Sequence, residues 1–302
     1  MTVRVYHSTD SSAPVLSGTA GALITVLDAI LVNGYGSKAA VGWTKSYSGT
    51  NLAAYRQSVG SNQFYLRVDD TGTTSARVIG YESMSDVNTG TAGFPTEAQF
   101  SGGLYHHKSS AASSAARPWF AVSNGKMFYF VSSSDGTNLL VMFAFGDITS
   151  YKSADAYHTL ILAGSTSATG GANGAATTSA LSSSSTGHYM TRSYTQTGSS
   201  ITIGKHIDSV KTTTGTIGGS GMAYPTLPDS ALHMCPIYIH ESAISVVRGE
   251  LPGVLAPLHN KPLTSLDTFS GSGVYAGKTF EAIAVNNGGS TGQLMFEISD
   301  TW

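Results

Sequence analysis

Three short segments of the chain each contain, within a few residues, side chains of types that act as catalytic groups or metal ligands in other proteins. Asp70-Thr71-Gly72 is the triplet of aspartic proteases, in which two carboxylates share one proton across the active site. The chain has no second Asp-Thr/Ser-Gly triplet, so an active site of this kind would require a homodimer. The triplet also lies between two alternating segments, where Asp-Asp-Thr-Gly is typical of a hairpin turn. We therefore interpret it as a turn.

The segment "HMCPIYIHE" brings together possible metal ligands, namely His233, Cys235 and His240. In a strand His233 and Cys235 point to one face and His240 to the other, unless Pro236 marks a bulge. Structural zinc takes four ligands, and the chain has no Cys-x-x-Cys pair to complete the set. We expect a small buried cysteine and two ordinary histidines here, and no metal or cofactor.

The adjacent pair His106-His107 is the third segment. Neighbouring side chains diverge in an extended segment, so the pair indicates a turn or an interface site before it indicates two ligands of one metal. The many serines lie in loops with no placed His and Asp, and glycine-rich pieces such as "GTIGGSG" lack the Lys-Ser/Thr of a phosphate-binding loop. We therefore assign no catalytic residue and expect no enzyme.

Charge and composition limit the partners. Charged residues make up 11% of the 302 residues, against roughly 25% in average globular chains. The 16 basic and 18 acidic residues give a net charge of −2 with no Lys/Arg cluster, so we expect no nucleic acid partner. A weakly charged surface has little repulsion between copies, which suits a protein that packs against neighbours.

No segment predicts a membrane span or an internal disulfide. The longest apolar run, from Ala22 to Val32, contains Thr25 and Asp28 and is shorter than the roughly 20 residues of a span. The start "MTVRVYHSTD" has no apolar signal core. Cys235 is the single cysteine, which excludes a disulfide framework. We expect a soluble protein that is made in the cytoplasm and has no membrane partner.

One helix is predicted near the N-terminus. Its apolar residues have helical spacing and form one stripe: Leu23, Val26, Leu27, Ile30 and Leu31. Ser17 or Thr19 can cap its start, and Gly34 follows the last apolar residue, as glycine does at helix ends. An amphipathic helix of this kind packs one face against a core.

Short strands dominate the rest of the chain. Asn62 to Asp70 alternates apolar and polar residues before a turn and a returning strand, and Gly125 to Asp147 repeats this pattern around Asp135-Gly136. Further short strands follow, the last two around Asn287-Gly288-Gly289. The fold class predicted is mainly β, with antiparallel β-sandwich-like units, one N-terminal amphipathic helix and long Gly/Ser-rich loops.

A change of composition divides the chain. Residues 164–187 contain almost no large apolar side chain and read as a flexible Ala/Gly/Ser/Thr loop or linker. They separate a helix-containing β-rich N-terminal part, 1–163, from a β-rich C-terminal part, 188–302. The alternative is one continuous domain in which this tract is a long surface loop.

The candidate interface or anchor residues are three tryptophans: Trp43, Trp119 and Trp302. A large rigid ring with a polar N–H suits protein interfaces and sugar-stacking platforms, although core packing is the usual role. Trp302 follows the strand-like "LMFEISDT", and we expect it to be buried within the fold or in a neighbour.

Several segments together resemble a family of virion structural proteins of tailed bacteriophages. They include "VRVYHSTD", "LVNGYGSKAAVGWTK", "RVIGYESMSDVNTGTAGFP", "ARPWFAV" and "FAFGDITSYKSADAY". The resemblance implies a non-catalytic accessory protein, synthesised in the host cytoplasm and located on the head, neck or collar, or tail of the virion. It implies other virion proteins and copies of the same chain as partners, and it brings no catalytic residues.

Two other functions stay open. A receptor- or glycan-binding tail protein would present a cluster of exposed aromatic side chains. A polysaccharide- or wall-degrading hydrolase would need two carboxylates about 5 to 9.5 Å apart in a cleft. An assembly interface and a glycan platform use the same side chains, so the sequence does not separate the first two functions.

Overall fold

The computed structural model describes residues 2–136, 139, 141–163, 187–207, 224–225, 230–241, 243, 246–259, 263–284, 293–299 and 302. Strands account for 47% of the chain and helices for 6%, and the strands form antiparallel sheets. The prediction of a mainly β, antiparallel, sandwich-like fold with one N-terminal amphipathic helix is confirmed, and the helix is short. The predicted linker, 164–187, lies outside the described residues except for Gly187.

Two sheets contain the strands of the described residues. The smaller sheet has six strands: β2 (Thr44–Gly49), β3 (Leu52–Arg56), β4 (Tyr65–Asp69), β5 (Ser75–Asp86), β6 (Thr89–Phe94) and β7 (Leu104–His107). The larger sheet has thirteen: β1 (Arg4–His7), β8 (Trp119–Ser123), β9 (Met127–Ser132), β10 (Val141–Asp147), β11 (Thr149–Ser150), β12 (Thr159–Ala163), β13 (His188–Met190), β14 (Ile201–Ile207), β15 (Met234–Glu241), β16 (Val246–Pro257), β17 (Thr268–Ser270), β18 (Thr279–Ala284) and β19 (Gln293–Glu297).

The order of the strands follows from hairpins. The smaller sheet runs β2-β3-β4-β5-β6, with β7 beside the first part of β5. The larger sheet runs β1-β8-β9-β10-β12-β13-β14-β15-β16-β19-β18-β17, with β11 beside β16. The predicted hairpins are confirmed as the pairs β4/β5, β9/β10 and β18/β19. Strands β12 and β13, from either side of the 164–187 tract, pair with each other.

The centre of the molecule is a layer of four strands, β8, β9, β10 and β12, that are buried along their whole length. Side chains alternate between the two faces of a strand. Phe128 and Phe143 lie in the core shared with the helix and the smaller sheet. Tyr129 and Met142 lie in the core shared with the C-terminal strands. The architecture is therefore a stack of three layers, with one apolar core on each face of the central layer.

The helix has the predicted apolar stripe and a different N-cap. Helix α1 (Ala22–Leu27) continues into a π-helical segment, Asp28–Asn33, that ends at Gly34 as predicted. The five stripe residues have no exposed surface, which confirms the predicted buried face. The prediction of Ser17 or Thr19 as cap is wrong: Gly21 occupies the N-cap position with φ of 81° and no side-chain hydrogen bond. Asp70 supplies the missing acceptor from the turn between β4 and β5, which is distant in sequence.

The described helices include none long and apolar enough to cross a membrane.

The outer strands of the larger sheet come together. The His7 Nε2 atom of β1 lies 2.9 Å from Glu281 Oε1 of β18. The sheet therefore curves so far that its first strand reaches its next-to-last one.

Candidate binding face

The Asp70-Thr71-Gly72 triplet occupies the turn between β4 and β5, as interpreted from the sequence. Asp70 has no exposed surface, and its carboxylate accepts hydrogen bonds from the N–H groups of Leu23 and Ile24 at 2.7 and 3.3 Å. The Lys108 ammonium group contacts the other carboxylate oxygen and donates to the Thr19 carbonyl at 2.6 Å. The motif that resembles a protease site thus caps a helix and forms a buried ion pair.

Burial determines the ionisation of this pair. Removal from water raises the pKa of Asp70, against the effect of the Lys108 charge and of the helix N–H groups. The same burial lowers the pKa of Lys108, against the effect of Asp70. Both carboxylate oxygens and the ammonium group are used within the fold, which gives the pair a structural role.

The His106-His107 pair lies in β7 and is buried, so the predicted turn or interface site at this pair is not found. The two side chains diverge as expected. His106 packs against Phe130 and Phe143 with ring centroids 5.4 and 5.1 Å apart, and its Nε2 lies 3.0 Å from Ser132 Oγ. Burial lowers the pKa of His106 to about 3, so the ring is neutral. His107 stacks on Tyr105 with centroids 6.2 Å apart.

The segment with His233, Cys235 and His240 does contain a register shift next to Pro236. Cys235 is only partly buried, where the sequence predicted a buried cysteine. Throughout the described ranges, no group of three or more His, Cys, Asp or Glu side chains could hold a metal ion. The three residues therefore do not form a metal-ligand cluster in this part of the chain.

A second buried charge cluster joins β15, β16 and the loop before β12. The Arg248 guanidinium donates to both oxygens of Asp155 at 2.7 Å and to Glu241 at 2.5 Å. All three side chains are at most 2% exposed. Burial alone would raise the pKa of Asp155, but hydrogen bonds from Arg248 and Ser150 hold it below its usual value. An arginine thus occupies the space between the two buried carboxylates.

Two of the three predicted anchor tryptophans are core residues. Trp43 and Trp119 are each 2% exposed. Their ring N–H groups donate to the carbonyls of Gly125 at 2.7 Å and Pro14 at 3.0 Å. Trp302 is only half-buried against Tyr129, where the sequence predicted a buried ring. Core packing, the usual role of tryptophan, accounts for Trp43 and Trp119.

The outer face of the smaller sheet is the surface that sequence reasoning missed. Five side chains define what we call the tyrosine–arginine face: Tyr47 of β2, Arg56 of β3, Tyr65 of β4, Arg77 of β5 and Tyr105 of β7. The Arg56 guanidinium lies 5.6 Å from the centre of the Tyr65 ring, and Tyr47 stacks on Tyr65 at 6.2 Å. The Arg77 guanidinium lies 5.1 Å from the centre of the Tyr105 ring.

The strand register explains this grouping. Arg56 pairs with Tyr65 across β3 and β4, and Arg77 pairs with Tyr105 across β5 and β7. Asp69, which pairs with Arg77, lies four residues after Tyr65, so the two arginine–tyrosine pairs are about 13 Å apart along the strands. None of the five side chains is fully buried. Tyrosine and arginine are the residue types enriched at the energetically important positions of protein interfaces.

Two glycine residues leave room for side chains on this side of the sheet. At Gly102 a Cβ atom would overlap the Arg77 side chain, and at Gly90 it would lie 2.5 Å from the ring of the neighbouring Tyr81. The β5/β6 hairpin also folds back over the face, because the Tyr47 hydroxyl donates to the Met84 carbonyl at 2.9 Å and Arg67 Nε donates to the Val87 carbonyl at 2.7 Å. Side chains fixed in this way lose little entropy when a partner binds.

The chain matches no model of a known protein family and no curated protein sequence.

Proposed function

We propose that this protein is a non-catalytic structural component of the virion of a tailed bacteriophage, an oligomeric accessory protein of the head, neck or collar, or tail. Its partners are other virion proteins and copies of itself, and the virion is its location. The segments of the sequence that resemble this family support the proposal. The structure adds one observation that favours a scaffold, which is the use of the buried charged groups.

The buried ionic clusters connect separate elements of the fold. Lys108 follows β7, Asp70 follows β4, and their pair caps helix α1. Arg248 of β16 binds Glu241 of β15 and Asp155 of the loop before β12. Groups of these types carry catalysis when a cleft exposes them to substrate. Here solvent does not reach them, which suits a particle component that must keep its shape.

A receptor- or glycan-binding tail protein is the second candidate. The tyrosine–arginine face favours it, since tyrosine rings present a flat apolar surface with a polar edge. Arg56 and Arg77 add donors that recognise carboxylates or hydroxyl groups. This candidate shares the virion location and differs in position, because a receptor-binding protein must lie at the distal end of the tail.

Antibody labelling of particles tests the proposal. Antibody raised against the recombinant chain is bound to gradient-purified particles and imaged by electron microscopy with gold. We expect label at one fixed position, which disappears when the antibody is first absorbed with the recombinant chain. Label on the head or neck supports a decoration or collar role, and label on the distal tail supports receptor binding. A chain that is present in the lysate and absent from particles would contradict both.

A further inference from the structure

Strand β2 forms an open edge of the smaller sheet. In the part of the chain that the structure describes, β2 pairs with β3 alone. The two strands are joined by the two-residue turn Thr50-Asn51, and Gly49 pairs with Leu52 at its base. In such a hairpin the pair at the base exchanges both hydrogen bonds, so the next pair directs its N–H and C=O groups outward.

That next pair is Ser48 and Ala53. Ala53 lies opposite Val68 of β4, so its outward backbone groups face another strand. Ser48 faces the open side of the sheet. The N–H and C=O of Ser48 are therefore placed to bind a further strand.

The usual protection of an edge strand is weak at β2. Natural edges carry lysine, proline or inward-pointing charge, which prevent the addition of another strand. β2 has no proline, and Lys45 is its single charged residue. The Lys45 ammonium lies 2.8 Å from the Asp28 carboxylate, so this charge is neutralised by the helical segment. A bulge at Ser46, between Lys45 and Tyr47, twists that end of the edge, while Tyr47, Ser48 and Gly49 keep regular register with β3.

The sequence of the edge is symmetric about Tyr47. Ser46-Tyr47-Ser48 reads the same in both directions. A two-fold axis through Tyr47 therefore places Ser46 of one copy opposite Ser48 of the other, and the two Tyr47 rings opposite each other. Each Tyr47 already stacks on the Tyr65 of its own chain, so this arrangement gives a row of four tyrosine rings. Arg56 of β3 pairs with Thr44, three residues before Tyr47, so the two-fold axis places the two Arg56 side chains on opposite sides of the axis.

We propose that β2 pairs with β2 of a second copy in antiparallel orientation and joins two six-stranded sheets into one of twelve strands. The inference rests on the proposed role as an oligomeric accessory protein, because it names the surface through which copies associate. The neutral, symmetric edge selects a second copy over an unrelated strand, which would have no reason to match this symmetry.

Sedimentation equilibrium of the full chain at increasing concentration tests this pairing. We expect a dimer that dissociates on dilution. Ser48→Pro removes the outward N–H without removing a β2–β3 hydrogen bond, and we expect it to raise the dimer dissociation constant about tenfold or more. Ser48→Ala keeps the N–H at the same exposed position and is the matched control, which should dimerise like the unaltered chain.

Amide hydrogen exchange on the unaltered chain gives a second test that does not depend on a variant folding. The Ser48 amide should be protected at high concentration and lose protection on dilution, while Tyr47, whose N–H faces β3, stays protected. A chain that is monomeric at all concentrations overturns the pairing, as does a folded Ser48→Pro protein that dimerises normally. Concentration-independent exchange at Ser48 overturns it as well.

The outcomes separate this inference from the proposed function. A monomeric chain that is nevertheless found on particles by gold labelling overturns the pairing and keeps the virion role. A monomeric chain whose Ser48→Pro variant is lost from particles identifies a strand of another virion protein as the occupant of the edge. A β2-paired dimer that is absent from particles overturns the virion role alone.

Discussion

The Lys108 ammonium group contacts the Asp70 carboxylate although solvent reaches neither side chain. The contact is long-range, because the two residues are separated by 38 positions and the helix N–H groups that Asp70 also binds lie 46 and 47 positions away. Such a pair gains little over apolar residues of equal volume, but the loss of one partner leaves an unpaired buried charge. The start of the helix therefore depends on this single carboxylate.

Replacement of Asp70 by Asn should lower the free energy of unfolding by about 3 to 5 kcal/mol, because Lys108 then lacks its counter-charge. Urea unfolding followed by tryptophan fluorescence measures this loss. Asp69→Asn is the matched control one residue earlier, and we expect it to cost about 1 kcal/mol or less because that carboxyl is partly exposed. The double variant Asp70→Asn, Lys108→Met should recover part of the loss. Equal costs at positions 69 and 70 would contradict the structural role.

The Arg248 cluster should make the fold sensitive to acid. Hydrogen bonds from Arg248 and Ser150 outweigh burial and hold the pKa of Asp155 below its usual value of 3.8. The folded pKa is thus lower than the unfolded one, so the carboxylate contributes stability above about pH 4 that is lost as the pH falls through the folded pKa. Asp155→Asn should be much less stable than the unaltered chain at neutral pH, and the difference should shrink in acid.

Urea midpoints measured from neutral pH down to about pH 3 check this convergence. Asp86→Asn removes an exposed carboxyl and should follow the unaltered chain at every pH. A difference between Asp155→Asn and the unaltered chain that is constant with pH would mean that the cost is steric rather than electrostatic.

Gly80 in β5 has no room for a side chain. A methyl group there would overlap the ring of Phe94, the residue opposite it in β6. Gly80→Ala should therefore lower the free energy of unfolding by about 1 to 3 kcal/mol. Gly49→Ala, in the same sheet, places its methyl group 3.5 Å from Leu52 and should be nearly neutral. Thermal unfolding of both variants gives the comparison, and similar melting temperatures would contradict the close contact with Phe94.

The elements that sequence reasoning predicted are those fixed by local spacing. The apolar stripe of α1 repeats with the period of a helix, and Leu66 and Val68 alternate with the period of a strand, so both could be read directly. The N-cap could not be predicted in this way, because Gly21 contributes no side-chain acceptor and the acceptor comes from Asp70. A local pattern carries no information about an acceptor in a turn that is distant in sequence.

The candidate face was missed for the same reason. Tyr47 and Tyr105 are 58 positions apart in sequence, and only the register of β2 to β7 brings their strands onto one face. Three of the seven arginines, Arg56, Arg67 and Arg77, lie one on each of three adjacent strands. They form no cluster along the chain, and their spacing of 11 and 10 residues becomes meaningful only once the hairpins are known. The tryptophans were predicted as interface or anchor residues instead, because the sequence itself shows that they are rare.

Trp302 should stabilise the fold through the core behind β9. Its ring lies 6.1 Å from that of Tyr129, its ring N–H donates to the Glu297 carbonyl at 2.9 Å, and its own carbonyl accepts from Asn124 at 2.8 Å. Because the ring is only half-buried, Trp302→Ala should cost about 2 to 4 kcal/mol in urea unfolding, near the lower end for aromatic truncation. Trp302→Phe keeps the ring contact and should lose about 1 kcal/mol with the hydrogen bond. Tyr194→Ala removes an aromatic ring that is 41% exposed and should cost little. If Trp302→Ala is no more costly than Tyr194→Ala, the indole does not stay against Tyr129 in solution.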